Sequence, residues 1–252
     1  TRQTLRDAWA AHLILVARGQ NLDDEALVNF TSIFGECDRS PPNEAGVQGP
    51  GYVPMLPEVA VISNVRENGE PIGSLSNLEL VWHTDMSYHE LPADGCALYA
   101  LEVPKAGGET GFLNMYAAFE TLETSLRNAL EDKTAIHDFT YTSAGTLRKG
   151  FSEVTDVREA PGARHPMLRT HPVTGRTALF LGRRTNSYVM DLPIEESEDL
   201  LDRVWAHNTQ DQYTYTHQWR AGDVVLWDNR CVMHRRNPFD DQERRVMHRT
   251  TI

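Results

Sequence analysis

A mainly β fold with flanking helices (α+β) is what this sequence predicts, and three observations predict it. Many short runs rich in β-branched and aromatic residues lie between turn residues, the pattern of a sandwich or barrel. Two longer stretches repeat apolar residues every three or four positions, as amphipathic helices do. At 252 residues, with 40% hydrophobic and 24% charged content, the chain can bury one substantial core, most simply as a single domain over 1–252.

In order along the chain, Leu5 to Ala10 reads as the end of a helix, and His12-Leu13-Ile14-Leu15-Val16 as a short buried strand. Leu22-Asp23-Asp24-Glu25 puts carboxylates at the start of a second helix running to about Phe34, where they complement its dipole. Pro and Gly accumulate from Ser40 to Pro57, which marks an irregular loop able to edge a pocket. Strands are expected at Val59–Ser63, Leu78–His83, Cys96–Leu101 and Thr110–Leu113. Met115 to Leu130 is the clearest amphipathic helix, with Tyr116, Phe119, Leu122 and Leu126 recurring on one face, and Ile194 to His207 is another. The stretch 139–166 is polar and without a period, so it reads as a long insertion and a lid. Further strands are expected at Thr177–Leu181, Tyr213–His217, Val224–Trp227 and Arg245–Arg249.

Charge and cysteine usage exclude several function classes. A net charge of −12 repels nucleic acid and anionic lipid, and no Lys/Arg run interleaves with aromatics. Neither a nucleic-acid nor a membrane partner is expected; a small molecule is. Cys37, Cys96 and Cys231 are odd in number and far apart, which suggests neither a disulfide framework nor a zinc knuckle and fits a reducing, cytoplasmic setting. No apolar run approaches the roughly 20 residues needed to span a bilayer, and the N-terminus lacks a basic-then-apolar signal pattern.

The chemistry is carried by His83-Thr84-Asp85 and, far downstream, His234. In an extended strand, residues two apart point the same way, so the His83 imidazole and the Asp85 carboxylate can approach one metal ion together. With His234 as a third corner, two His and one carboxylate would hold Fe(II) on one face and leave the opposite positions open. Alone, His-x-Asp is a weak signal in a chain with ten His. Its company makes it specific: Gly107-Gly108-Glu109-Thr110, the stretch Gly222-Asp223 through Trp227-Asp228-Asn229-Arg230, and Arg245.

On these segments the chain resembles the taurine dioxygenase and 2,4-D dioxygenase (TauD/TfdA) family of Fe(II)/2-oxoglutarate-dependent dioxygenases, over nearly its whole length. The resemblance implies a double-stranded β-helix, a cupin-like jelly roll closing over a metal pocket. It implies His83, Asp85 and His234 as the iron ligands, and Arg245 and Thr110 as the partners of the distal carboxylate of 2-oxoglutarate. A guanidinium can make two parallel charge-assisted bonds to a carboxylate, which Lys cannot reproduce. Arg249, four residues after Arg245 and so on the same strand face, matches a position near the cosubstrate or the substrate's anionic group. Arg235, Arg236 and Arg244 are assigned to the surface. Asp228 and Asn229 read as structural, bonding the turn that presents His234, and Trp227 as packing.

For substrate contacts the resemblance implies Met86 and Tyr88 near the iron mouth, and Arg183 and Tyr188 in a loop bordering the substrate. His89, His137, His165, His171 and His217 have no partner at metal spacing and are left as structural. The implied reaction joins O2 and 2-oxoglutarate, releases succinate and CO2, and hydroxylates a C–H bond of a small anionic acid of aryloxyalkanoate, sulfonate or sulfate-ester type. Related halogenases carry a small residue at the Asp85 position, so the carboxylate argues for hydroxylation. Relatives of this kind form homo-oligomers, dimers or tetramers. The family's usual first strands have no counterpart before the opening helix and the chain starts at Thr1, so the natural N-terminus is expected to lie upstream. Two alternatives stay open: a cupin-like Zn or Mn hydrolase or isomerase in which Arg245 binds a substrate carboxylate, and a non-catalytic binder of small acids.

Overall fold

Among the described residues, local residue pattern sets many of the elements and neighbours decide the rest. The computed structural model describes residues 1–39, 56–73, 81–142, 145–183 and 185–252. In chain order the elements are α1 (Arg2–His12), β1 (Ile14–Ala17), α2 (Asp24–Thr31), β2 (Ala60–Ser63), β3 (Arg66–Glu67), β4 (Glu70–Pro71), β5 (Gly95–Glu102) and β6 (Thr110–Asn114). There follow α3 (Met115–Glu120), α4 (Thr124–Leu130), β7 (Thr134–Asp138), β8 (Gly162–Pro166), β9 (Leu168–Thr170), β10 (Thr177–Leu179) and β11 (Tyr188–Val189). The chain closes with α5 (Ile194–Asn208), β12 (Thr214–His217), β13 (Val224–Asp228), β14 (Val232–Arg236) and β15 (Val246–Thr251).

The β-strands assemble as a jelly roll. An antiparallel five-stranded sheet runs β1-β13-β5-β15-β2, and a three-stranded sheet runs β12-β6-β14. Period-two alternation decides what each strand gives to which side. Cys96, Leu98 and Ala100 of β5, Val225 and Trp227 of β13 and Met247 of β15 share one buried cluster with Phe112 of β6 and Val232 of β14, so the two sheets face each other. The intervening residues point outward to the helices: Ala97 and Leu226 pack with Trp9 of α1, and Tyr99 and Val224 with Leu27 of α2. β5 is therefore buried on both faces, which is why it reads as an almost unbroken apolar run. Among the described residues, no helix is long and apolar enough to cross a membrane.

Local chemistry starts the helices. The Asp23 carboxylate accepts the Ala26 N–H at 2.8 Å, with Asp24 and Glu25 in the first turn of α2. Asn114 accepts the N–H groups of Tyr116 and Ala117 at the start of α3.

Three expectations are corrected here. The single helix over Met115–Leu130 is two helices, because neighbours occupy the carbonyls its middle turn would need. His207 Nε2 bonds the Ala118 carbonyl at 2.8 Å, and the Phe119 carbonyl accepts from Arg127 and from the Leu122 N–H, both at 3.2 Å. The strand expected at Leu78–His83 is absent from its described part: Val81 and Trp82 pair with nothing as strand, and His83 makes an isolated bridge to His234. Leu78–Leu80, and Ser40 to Met55 of the Pro/Gly-rich loop, lie outside the described residues. The last five residues of the stretch read as an insertion are strand β8, which pairs with β7 in a second three-stranded sheet, β11-β7-β8. Short strands such as β7, β9 and β14 carry too little alternation of their own to be seen before their partners are known.

Gly107 and Gly108 place the start of β6. Both have positive φ, 77° and 71°, and a Cβ on Gly107 would sit 2.4 Å from the Pro238 carbonyl. Gly107→Ala combines a left-handed backbone with a backbone clash, at a cost on the order of 1–3 kcal/mol. The expected result is a lower thermal midpoint than wild type, read by circular dichroism; an unchanged midpoint would mean that the turn relaxes freely.

Candidate active site

His83, Asp85 and His234 meet in a recess between the two sheets. A reciprocal pair of backbone hydrogen bonds joins His83 and His234, N–H to C=O at 3.0 and 2.8 Å, and their rings lie 4.3 Å apart. Asp85 stands opposite both, with His83 Nε2 3.7 Å from Oδ1 and His234 Nε2 3.7 Å from Oδ2. The pairing of His83 with Asp85 does not come from a strand, as the spacing suggests, but from a bridge followed by a turn.

The protonation states suit a metal. His83 Nδ1 is 2.9 Å from the Val81 carbonyl, which can only accept, so Nδ1 carries a hydrogen there and Nε2 is the ring nitrogen that faces Asp85. Burial first, then the neighbouring His83, push His234 down to about 3 against the pull of Asp85, so this imidazole is neutral near neutral pH. Burial by itself would raise Asp85, but His234, Arg249, His83 and the Cys96 thiol overcome it and hold the carboxylate well below its ordinary range. With His234 uncharged at neutral pH, Arg249 is the standing cation there, its Nη1 3.7 Å from Oδ2. Two ligands at about 2.1 Å from a shared ion stand at most roughly 4.2 Å apart; the two 3.7 Å separations are too long for hydrogen bonds and fall within that limit.

The cationic side of the recess comes from the facing strands. Arg245 and Arg249 line it together with Thr110 and Arg236, while Ile62, Leu98 and Trp227 supply an apolar wall. Arg245 is 2% exposed, and its main-chain N–H is fixed by Asn64 Oδ1 at 3.0 Å. Trp219 Nε1 donates to the Thr110 hydroxyl at 2.9 Å. That bond uses an oxygen lone pair and leaves the hydroxyl proton to be donated to an anion. Arg236, assigned to the surface from sequence, is buried and lines the recess, because β14 pairs it directly with Thr110. Nothing in the Arg235-Arg236 dipeptide distinguishes the two; strand parity does.

The other candidates lie elsewhere. Met86 follows Asp85 with φ 54°, and Tyr88 stacks on Phe139 at 4.5 Å beneath the Arg148 guanidinium at 4.7 Å; neither lines the recess. Arg183 is held by Glu198 and Asp202 of α5 at 2.6 and 2.7 Å. The Tyr188 hydroxyl donates to the Leu192 carbonyl, and its ring packs with Ile136 and Ala160. Arg183 thus braces α5, and Tyr188 the segment that leads into it, instead of facing the metal-type cluster.

Two histidines left without partners from spacing do have them. His171 Nε2 meets Asp228 Oδ2 at 3.0 Å and His217 Nε2 meets Asp223 Oδ2 at 3.2 Å, both buried. His171, Asp228 and Cys231 even bring ligand-type atoms within 4.8 Å of one another. That trio is already satisfied: His171 Nδ1 accepts two backbone N–H groups at 3.2 Å, and Arg230 forks onto Asp228 at 2.8 and 2.7 Å. Burial also pushes the Cys231 thiol up, which opposes ligation. Its role is to brace the turn before β14.

Burial depresses His165 and His217 as it does His234. The unfolded chain takes up protons near the ordinary histidine value of 6.5, whereas these folded imidazoles do not, so folded stability falls as pH drops below that value. Asp85 adds in the same direction lower down, since its folded pKa lies beneath the ordinary 3.8. The metal-free protein should show a urea midpoint that declines steadily from pH 7 to pH 4; a flat profile would contradict the neutral, buried histidines.

Known proteins resemble this chain in sequence and in fold. A profile of the family described as taurine catabolism dioxygenase TauD, TfdA family matches residues 1–251. The alpha-ketoglutarate-dependent 2,4-dichlorophenoxyacetate dioxygenase of Cupriavidus pinatubonensis is 34% identical over 251 residues, covering 94% of this chain and 83% of that protein. The (S)-phenoxypropionate/alpha-ketoglutarate-dioxygenase of Sphingobium herbicidovorans is 31% identical, covering 98% and 84%. The crystal structure of AAD-2 in complex with Mn(II) and N-oxalylglycine superposes with a TM-score of 0.77 at 28% identity, covering 100% of this chain and 86% of that one.

Proposed function

This chain belongs to the taurine catabolism dioxygenase TauD, TfdA family, and on that premise we propose that it hydroxylates a C–H bond of a small organic acid of the aryloxyalkanoate, sulfonate or sulfate-ester type. It is an Fe(II)- and 2-oxoglutarate-dependent dioxygenase, with O2 as second cosubstrate and succinate and CO2 as products of 2-oxoglutarate. The observation that carries the site assignment is the convergence of two imidazole Nε2 atoms on the two oxygens of one partly buried carboxylate, each at 3.7 Å.

In this reading His83, Asp85 and His234 hold the iron. Ferrous iron there would supply the activation of O2 that lets an unactivated C–H bond be oxidised. The protein's residues do the rest. Arg245 and the Thr110 hydroxyl bind the distal carboxylate of 2-oxoglutarate, which the depth of Arg245 and the Trp219 bond to Thr110 support. Arg249, beside Asp85, steadies an anionic group nearer the metal. Ile62, Leu98 and Trp227 exclude water from the recess. The part of the stretch 139–166 that precedes β8 acts as a lid within a single catalytic domain; the stacking of Phe139 on Tyr88, three residues beyond Asp85, supports this. The three cysteines are free and two are buried, which supports a cytoplasmic setting.

The test is a panel of phenoxyacetates, phenoxypropionates, alkyl sulfonates and alkyl sulfates with Fe(II), ascorbate and O2, scored for succinate and for CO2 from 2-oxoglutarate. Succinate that rises with one acid class identifies it. Succinate formation by no member of the panel above the acid-free rate would overturn the proposed substrate class.

A further inference from the structure

We infer that Asn229 is a positioning residue for the metal-binding carboxylate: its side-chain amide clamps the main chain of Asp85 and presets that ligand before a metal arrives. This rests on the reading that His83, Asp85 and His234 hold the metal. His83 needs no such help, since its own backbone is laddered to His234. Asp85 lies beyond that bridge, in a turn, and the next residue, Met86, holds a left-handed φ of 54° that a non-glycine residue seldom adopts.

Both peptide groups of Asp85 go to the one side chain. The Asp85 N–H donates to Asn229 Oδ1 at 3.0 Å, and Asn229 Nδ2 donates to the Asp85 carbonyl at 2.9 Å. The second amide hydrogen goes to the Ala93 carbonyl at 2.9 Å. An N–H on one side and two carbonyls on the other allow only one orientation of the amide, so its polarity follows from its partners. The main-chain N–H of Asn229 adds a bond to the Asp94 carbonyl at 2.9 Å. One residue, 1% exposed, thereby stitches both ends of the loop from Asp85 to Asp94 to the end of β13, just before the strand that carries His234. The carboxylate itself is touched by the Cys96 thiol at 3.4 Å and Arg249 at 3.7 Å, contacts too soft to fix where its Cα sits. The clamp sets that.

The test is Ni(II) titration of the metal-free protein by calorimetry, since Ni(II) binds nitrogen and oxygen ligands tightly enough for weakened sites to stay measurable. Asn229→Ala, shown folded by circular dichroism, should bind Ni(II) about 10- to 100-fold more weakly, the usual effect of losing an outer-shell partner. In an Asp85→Ala background the same substitution should cause no further loss, because Asn229 acts through Asp85. If the alanine variant does not fold, Asn229→Asp replaces it in the same cycle: it keeps the shape and the acceptor for the Asp85 N–H but turns an oxygen towards two carbonyls. Affinity within twofold of wild type, or an undiminished loss in the Asp85→Ala background, would overturn the clamp. Wild type that binds no Ni(II), or Asp85→Ala that binds it as tightly as wild type, would overturn the ligand assignment instead.

Discussion

Asp85→Gly should lose turnover by more than about 100-fold, beyond the range seen when only an outer-shell partner of a metal ligand is removed. Two effects combine. The carboxylate is the one anionic donor of the three, so its loss removes both a ligand and the charge that attracts the ion. Its removal also takes away the negative charge that stands 3.7 Å from Arg249 Nη1, which makes the metal position more positive. Substrate-dependent succinate formation measures the effect, with Ni(II) affinity as a second readout. A variant that turned over at the wild-type rate would show that Asp85 is not a ligand.

Arg245→Gln should raise the KM for 2-oxoglutarate far more than it lowers kcat. Arg245 is 2% exposed, so a carboxylate meeting it there has left water, and truncating one partner of a buried charge pair costs about 2–5 kcal/mol, roughly 30-fold to several thousandfold in affinity. Arg245→Lys should fall between, because a point charge cannot reproduce the two parallel bonds of a guanidinium. The measurements are succinate formation against 2-oxoglutarate concentration and calorimetric binding of N-oxalylglycine to the metal-loaded protein. An unchanged KM in Arg245→Gln would remove Arg245 from the cosubstrate site.

How much of this site is legible in the sequence depends on whether a residue acts through its type or through its neighbours. His83, Asp85, His234, Thr110 and Arg245 sit in short motifs whose residue types carry the chemistry, and the fold brings all five to one recess. Arg236 is chemically the same as Arg235, and only pairing with Thr110 turns one inward while Arg235 covers the ring of Trp82. Asn229 reads as part of a turn before His234, yet its amide reaches back across the chain to Asp85. No spacing rule could show that, because the partners are 144 positions apart. His171 and His217 are structural, as read from the sequence, but their carboxylate partners are hidden for the same reason, each found through folding.

By itself, then, the sequence determined the β-rich class, the acidic start of α2 and the amphipathic α5, since periodicity and side-chain chemistry are local properties that survive without neighbours, and the family resemblance singled out His83, Asp85 and His234. The tertiary structure alone decided where the helix over Met115–Leu130 breaks, which arginines turn inward, and that Asp85 is held by a side-chain clamp and not by a strand. Each of those outcomes is a contest between hydrogen-bond partners distant in the chain, and a backbone group bonds whichever partner folding brings within reach.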